Sequence, residues 1–279
     1  MTVTIIGVGL IGGSFALSLR DKRLAESIIG VDNNDWHLET AKKLGLIDDH
    51  CLLEEAIHRS GLIVLAIPVD ATTGILPQVM DAVTTQVVMD MGSTKENIIH
   101  SIYDHPKKGR FVATHPMWGT EYSGPEAAIS GAFENKAVVI CNSGDSDADA
   151  LELIEHLYKQ IGMHLIYMEA HAHDLHAAYI SHISHITSFA LANTVLEKEK
   201  EEDAIFELAS AGFESTVRLA KSNPAMWVPI FKQNRENVLD VLNEHISQLR
   251  KFKSCLEKEN YDYLQHLIEH ANEIRRIIK

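Results

Sequence analysis

"VTIIGVGLIGGSFALSL", Val3–Leu19, decides the fold. It begins as a short run of β-branched residues and ends as an apolar stretch with helical spacing. Between them Gly7, Gly9 and Gly12 form G-x-G-x-x-G, with Leu10 and Ile11 at the opening of the helix. Glycines at these positions permit a tight turn, close approach of backbone to a pyrophosphate, and close packing of helix on strand. The pyrophosphate then lies at the helix N-terminus. The next strand-like run, "SIIGVD", ends in Asp32, about 20 residues beyond the last glycine, where a dinucleotide fingerprint places its acidic residue. A carboxylate there accepts from both ribose hydroxyls and repels a 2′-phosphate, so NAD is the expected cofactor rather than NADP. The alternative is a glycine-rich turn with a capping Asp and no ligand.

The rhythm continues outward from this motif. "LIVLAI", "QVVMDM", "FVATH", "AVVICN" and "HLIYM" are further apolar runs without strict alternation, as in strands buried on both faces. Helix-like stretches such as "WHLETAKKLG" and "DADALELIEHLYKQIG" lie between them. The alternation predicts an α/β dinucleotide-binding (Rossmann-type) domain with a mostly parallel sheet over residues 1–167. From Glu169 the strand signals stop, and the pattern predicts an all-α domain over residues 168–279. The charge run Glu197–Asp203 reads as a solvated helix end or loop.

Composition narrows the function. The chain has 279 residues, 46% of them hydrophobic, enough for two domains and a sizeable core. A net charge of −14 with no basic stripe argues against nucleic acid as a partner but leaves room for a small anionic substrate. No apolar run is long enough to cross a bilayer, and the N-terminus runs straight into a strand with no targeting pattern. Three scattered cysteines, Cys51, Cys141 and Cys255, suit a reducing, cytoplasmic setting.

Several polar residues fall where a ligand would lie. "LAIPVD" reads as a strand stopped by Pro68 at the carboxyl edge of the sheet, a terminator that can also line the cofactor. In "DMGSTKENI", Ser93 or Thr94 is placed to cap a helix, with Glu96 in its first turn. "FVATHPMWGTEYSG", Phe111–Gly124, carries His115 and Glu121, and Gly119 and Gly124 let this loop fold back tightly. On a straight helix of about 100° per residue, His171, Asp174, His182 and His185 share an arc of roughly 80°, whereas His173 and His176 point elsewhere. A polar stripe of this kind faces a cleft or a satisfied network. A metal site on His182 and His185 and ordinary buried histidines at helix contacts are the alternatives.

"GVGLIGGS", "DMGSTK", "THPMWGTEYSG", "HDLHAAYISHISH" and "GFESTVRLAKSNPAMW" together resemble the prephenate/arogenate dehydrogenases of tyrosine biosynthesis, in order and spacing over nearly the whole chain. The resemblance implies a dinucleotide-binding domain and a helical domain that makes a homodimer and covers the cleft. It implies oxidation of prephenate, or of arogenate, at the ring hydroxyl, with hydride passed to NAD(P)+ and release of CO2. Some members carry a chorismate mutase or regulatory domain, for which the length of this chain leaves no room.

The reaction accounts for the histidine at the end of "FVATH". As hydride leaves the ring carbinol, the hydroxyl proton must be taken, and a neutral imidazole in hydrogen-bond reach does this near neutral pH. By resemblance His115 is that residue, Ser93 lies beside it and the nicotinamide, and Glu121 is an acidic residue at the cleft entrance that pairs with an arginine. By resemblance also, His182 and His185 face the substrate, Arg218 binds its ring carboxylate through a planar fork, and Trp227 lies near the site. Ser93 as a cap, His115 as a strand-end histidine, Arg218 as a surface residue and Trp227 as a core anchor are the bland alternatives. Ser215 departs from the pattern, which often has Asp three residues before the arginine. A β-hydroxyacid or imine reductase would require a lysine on the first long C-terminal helix, and residues 169–196 contain none. A non-catalytic NAD(H) sensor is the reading from another class.

Overall fold

The computed structural model describes residues 1–200 and 206–277. These form two compact units, Met1–Asn234 and Arg235–Lys279. The part of the Glu197–Asp203 charge run from residue 201 onward lies outside the described residues.

The first unit opens with β1 (Thr2–Ile6), α1 (Leu10–Asp21), β2 (Ser27–Val31), α2 (Asp35–Lys43), β3 (Asp49–His50), α3 (Leu53–Arg59), β4 (Leu62–Leu65) and α4 (Val69–Ala82). It continues with β5 (Val87–Asp90), α5 (Glu96–His100), β6 (Phe111–Pro116), β7 (Ala137–Cys141), α6 (Ala148–Ile161) and β8 (His164–Met168). Helices α7 (Ala170–Ala177), α8 (Ile183–Glu199), α9 (Ala211–Val217) and α10 (Pro224–Gln233) complete it. The strands form one sheet in the order β3-β2-β1-β4-β5-β6-β7-β8, parallel throughout except for the antiparallel β6–β7 pair.

The strands lack alternation because both faces are covered. Val3, Ile5, Leu62 and Val64 belong to one buried cluster with Phe15 and Tyr158. Ile6, Ile63 and Leu65 belong to another with Leu76 and Trp227. The order reverses between β1 and β4, so the crevice beyond their carboxyl ends is the place where such sheets bind ligands. Strand β6 runs parallel to β5, which brings His115 out on that same edge. His115 lies inside β6, paired with Val139, and the strand extends to Pro116 before the loop begins.

Two local expectations change. Strand β4 ends at Leu65, and Pro68 is not its terminator but the N-cap of α4, with φ −51° and ψ 146°. Fixed φ suits proline to a helix entrance. Helix α5 is not capped by Ser93 or Thr94: the Thr94 hydroxyl donates to Gln233 Oε1 at 2.7 Å, and the first amides of the helix are taken by a side chain from α7.

The second unit pairs α11 (Arg235–Glu257) with α12 (Tyr261–Ala271) across a turn that holds Glu259 at φ +52°. Leu249, Leu256 and Tyr261 stand exposed on it. No helix among the described residues is long and apolar enough to cross a membrane.

Candidate active site

The glycine loop is built for close approach. Gly7 has φ +93°, and a Cβ there would lie 2.5 Å from the Ala66 carbonyl oxygen. A Cβ on Gly12 would lie 2.0 Å from the Gly7 carbonyl oxygen, so α1 packs on the loop only with glycine at this position. Gly9 is different: a Cβ there would meet nothing nearer than Gly124 N at 3.9 Å. Its open side, together with an α1 N-terminus whose N-cap is a glycine with no side chain to cap it, fits an anionic group. Asp32 Oδ2 accepts from Val8 N at 3.1 Å and Oδ1 from Asn34 N at 2.9 Å, which fixes the carboxylate beside the loop. These residues fit a dinucleotide with a free ribose 2′-hydroxyl. Leu10 and Ile11 open α1, and Pro68 stands exposed at the same edge of the sheet.

His115 meets His173, from α7, with Nδ1 to Nε2 at 2.8 Å and the rings edge-on. His173 Nδ1 in turn meets Asp174 Oδ1 at 2.8 Å. The Asp174 carboxylate also accepts the Lys95 amide at 2.8 Å on Oδ1 and the Glu96 amide at 3.0 Å on Oδ2. It is the missing cap of α5. Burial of the His115 ring, with further contributions from His173, Lys95 and His182, holds its pKa well below the ordinary imidazole value. The ring is therefore neutral at physiological pH, the state a proton acceptor needs.

Beneath His115 lies a buried ion pair. Lys95 and Asp90 are both fully buried and in contact, and Lys95 Nζ also donates to the Thr114 carbonyl at 2.6 Å. The Thr114 hydroxyl donates to the Asp90 carbonyl at 2.5 Å and shares a 2.7 Å bond with Tyr158. This network ties the ends of β5 and β6 together. Ser93 sits half-buried in the loop between β5 and α5, next to the strand end that carries His115.

The predicted histidine stripe needs correction. His173, expected to point away, is buried and bonded to His115, whereas His171 is exposed. The reason is a π-turn over Ala178–His182 between α7 and α8. One extra residue in a turn sets everything after it back by about 100°. His182 and His185 then fall between Asp174 and His173 around the helix, and His171 lies outside that arc, about 60° beyond Asp174.

His182 is buried, and its Nδ1 accepts from Asn234 Nδ2 at 3.1 Å, the same amide that donates to the Asp174 carbonyl at 2.7 Å. Its proton is therefore on Nε2, and that atom is buried with no partner among the described residues, as is Trp227 Nε1. Burial brings the pKa of His182 down to about 4. His185 stacks on Trp227, with centroids 3.4 Å apart, and its Nδ1 donates to the Ser181 carbonyl at 3.1 Å. The Trp227 ring also meets His182 edge-on at 6.0 Å. Trp227 is both a core anchor and a neighbour of the two histidines. No cluster of three or more metal-ligating side chains occurs among the described residues.

Arg218 Nη1 reaches Glu121 Oε2 at 2.7 Å, with half the arginine side chain exposed and the glutamate at 12%. The Glu121 backbone amide, and then Arg218, hold this carboxyl below its usual range. Ser215 is exposed, and the three cysteines are free thiols. His173 and Asn234 were not among the expected site residues, and Asp174 was expected only as a member of the polar stripe. The adjacent His-Asp pair at the start of a helix was the one available signal.

The comparisons agree with this geometry. The prephenate dehydrogenase nucleotide-binding domain matches residues 15–167, and the prephenate dehydrogenase dimerization domain matches residues 169–270. The chain belongs to the prephenate dehydrogenase family. The prephenate dehydrogenase of Bacillus subtilis is 30% identical over 278 residues, 98% of this chain and 75% of that protein. A crystal structure of the Aquifex aeolicus prephenate dehydrogenase in complex with hydroxyphenyl propionate and NAD+ superposes with a TM-score of 0.91 at 30% identity, covering 100% of this chain and 98% of that one. The Synechocystis arogenate dehydrogenase gives a TM-score of 0.79 at 25% identity, with both chains fully covered.

The buried neutral histidines predict a specific acid sensitivity. An imidazole whose pKa is lower folded than unfolded takes up a proton on unfolding, so acid favours the unfolded chain. Stability should be full above about pH 6.5, the unfolded value, and should fall as the pH drops toward the folded His182 value of about 4. His182 alone accounts for roughly 3 kcal/mol of that loss. Urea unfolding at pH 7 and pH 4.5 measures it, and equal stability at the two would contradict a neutral buried His182.

Proposed function

We propose that this chain is an NAD-dependent dehydrogenase that oxidatively decarboxylates prephenate to 4-hydroxyphenylpyruvate in tyrosine biosynthesis. The observation that carries this reading is His115: a neutral imidazole on the carboxyl edge of the sheet, with Nδ1 engaged by His173 and Nε2 left to act on a hydroxyl. NAD+, when bound, supplies the hydride acceptor. Gly7, Gly9, Leu10, Ile11 and Gly12 would hold its pyrophosphate, Asp32 its adenosine ribose, and Pro68 would flank it.

The roles of the remaining residues follow from charge and donor type. His115 takes the proton of the ring hydroxyl as the carbinol becomes a carbonyl, and Ser93 orients that hydroxyl. Arg218 supplies a fork for the ring carboxylate; its bond to Glu121 supports a role for the two as a closed pair at the cleft entrance, which the substrate carboxylate would open. The buried N–H groups of His182 and Trp227 lack partners among the described residues, and a substrate oxygen would satisfy them. We assign residues 1–167 to cofactor binding and residues 168–279 to substrate binding and homodimer formation, in a cytoplasmic enzyme.

A second reading, arogenate as substrate, is supported by His185. Its Nδ1 proton is committed to Ser181, so the neutral ring offers a lone pair at Nε2, and burial lowers its pKa toward that neutral form. A lone pair suits the ammonium of arogenate; the protonated ring suits the keto acid. The greater likeness of the two prephenate dehydrogenases favours prephenate.

Assay of the purified chain with NAD+ and each substrate, by NADH absorbance, separates the readings. The proposal expects a higher kcat/KM for prephenate, and a roughly 10²- to 10⁴-fold loss of kcat in His115→Asn with NAD+ binding kept; turnover of arogenate alone would establish the second reading. Asp32→Ser should raise kcat/KM for NADP+ relative to NAD+ by at least about tenfold, and unchanged cofactor preference would remove Asp32 from the ribose site.

A further inference from the structure

Two groups lie in line behind the proposed base. Asp174 has its carboxylate oxygens on the Lys95 and Glu96 amides and on His173 Nδ1. An ionised carboxylate only accepts, so His173 carries its proton on Nδ1 and presents a lone pair at Nε2. That lone pair is 2.8 Å from His115 Nδ1, which must therefore carry the proton. The remaining nitrogen of His115, Nε2, is left as the lone pair. We infer that His173 and Asp174 are positioning residues that hold His115 in its Nδ1–H tautomer and stabilise the imidazolium formed when it accepts the hydroxyl proton. This rests on the dehydrogenase reading for its catalytic consequence, but the tautomer itself does not.

The arrangement also says which protonation silences the site. When the substrate O–H bond breaks, its proton goes to His115 Nε2, and the Nδ1–H remains directed at His173, backed by Asp174. If His173 is protonated beforehand, its Nε2–H points at His115 Nδ1 and forces the proton of His115 onto Nε2. The base is then blocked without having been protonated itself. The charged and titratable groups facing the His115–His173 pair are Asp174 on α7, Lys95 beyond β5 with its partner Asp90, and His182 on the π-turn. Burial, and after it His173, Lys95 and His182, oppose a cation on His115.

Two variants test it. His173→Leu should lower kcat by roughly 10- to 100-fold, with KM for NAD+ and substrate changed less than threefold. His173→Gln, whose amide oxygen can accept from His115 Nδ1, should recover part of that loss. A His173→Leu enzyme with kcat within twofold of the parent would overturn the inference. Long-range 1H–15N correlation spectra of histidine-labelled protein at pH 7.5 decide the tautomer without activity: His115 should be Nδ1-protonated in the parent and should lose that preference in His173→Leu. An Nε2-protonated His115 in the parent would overturn the inference. Absence of turnover on prephenate and arogenate alike, with the Nδ1–H tautomer observed, would instead count against the proposed function alone.

Discussion

The carboxylate of Asp174 is the constraint on which the site depends. It caps a helix that begins some eighty residues earlier in the chain, at Lys95 and Glu96, and at the same time fixes the ring of its neighbour His173. One side chain thus docks the first C-terminal helix against the sheet and orients the residue behind His115. Charge-assisted bonds of this kind are stronger and geometrically stricter than neutral ones. The carbonyl of the same residue accepts from Asn234, which also orients His182. The histidines that surround the cleft are therefore set by a single local frame.

The sheet provides the other half of the frame. Its carboxyl edge gathers the glycine turn after β1, Asp32 after β2, the Ser93 loop after β5 and His115 near the end of β6. The Lys95–Asp90 pair beneath β6 has no access to solvent. Removing one member of such a pair leaves a buried charge and is strongly destabilising. Its value to the site is mechanical: it ties the strand carrying His115 to the strand before it, through the carbonyl of Thr114.

Much of this was legible in the sequence, for reasons that are local. The spacing of Gly7, Gly9, Gly12 and Asp32 follows from what a tight turn and two adjacent parallel strands require, and seven of the strands announced themselves as apolar runs. The eighth, β3, has two residues and left no run to detect. His115, Glu121 and Arg218 stand out through their motifs, and the arginine partner expected for Glu121 is present as Arg218 at 2.7 Å. What failed was non-local or broke a period. The π-turn at Ala178–His182 has no glycine or proline to betray it, and it brings His182 and His185 round to the side of His173 rather than that of His171. The cap of α5 comes from another helix, so the nearby Ser93 and Thr94 misled. Pro68 was placed at the right edge but given to a strand end rather than a helix start.

The account turns on His115 meeting the substrate oxygen with Nε2 while Nδ1 stays on His173. A crystal structure of this chain with NAD+ and 4-hydroxyphenylpyruvate measures that directly. The account predicts His115 Nε2 within about 3.2 Å of the phenolic oxygen, with the His115–His173 and His173–Asp174 contacts retained. A phenolic oxygen bound elsewhere, with the His115 ring turned away from it, would contradict the account.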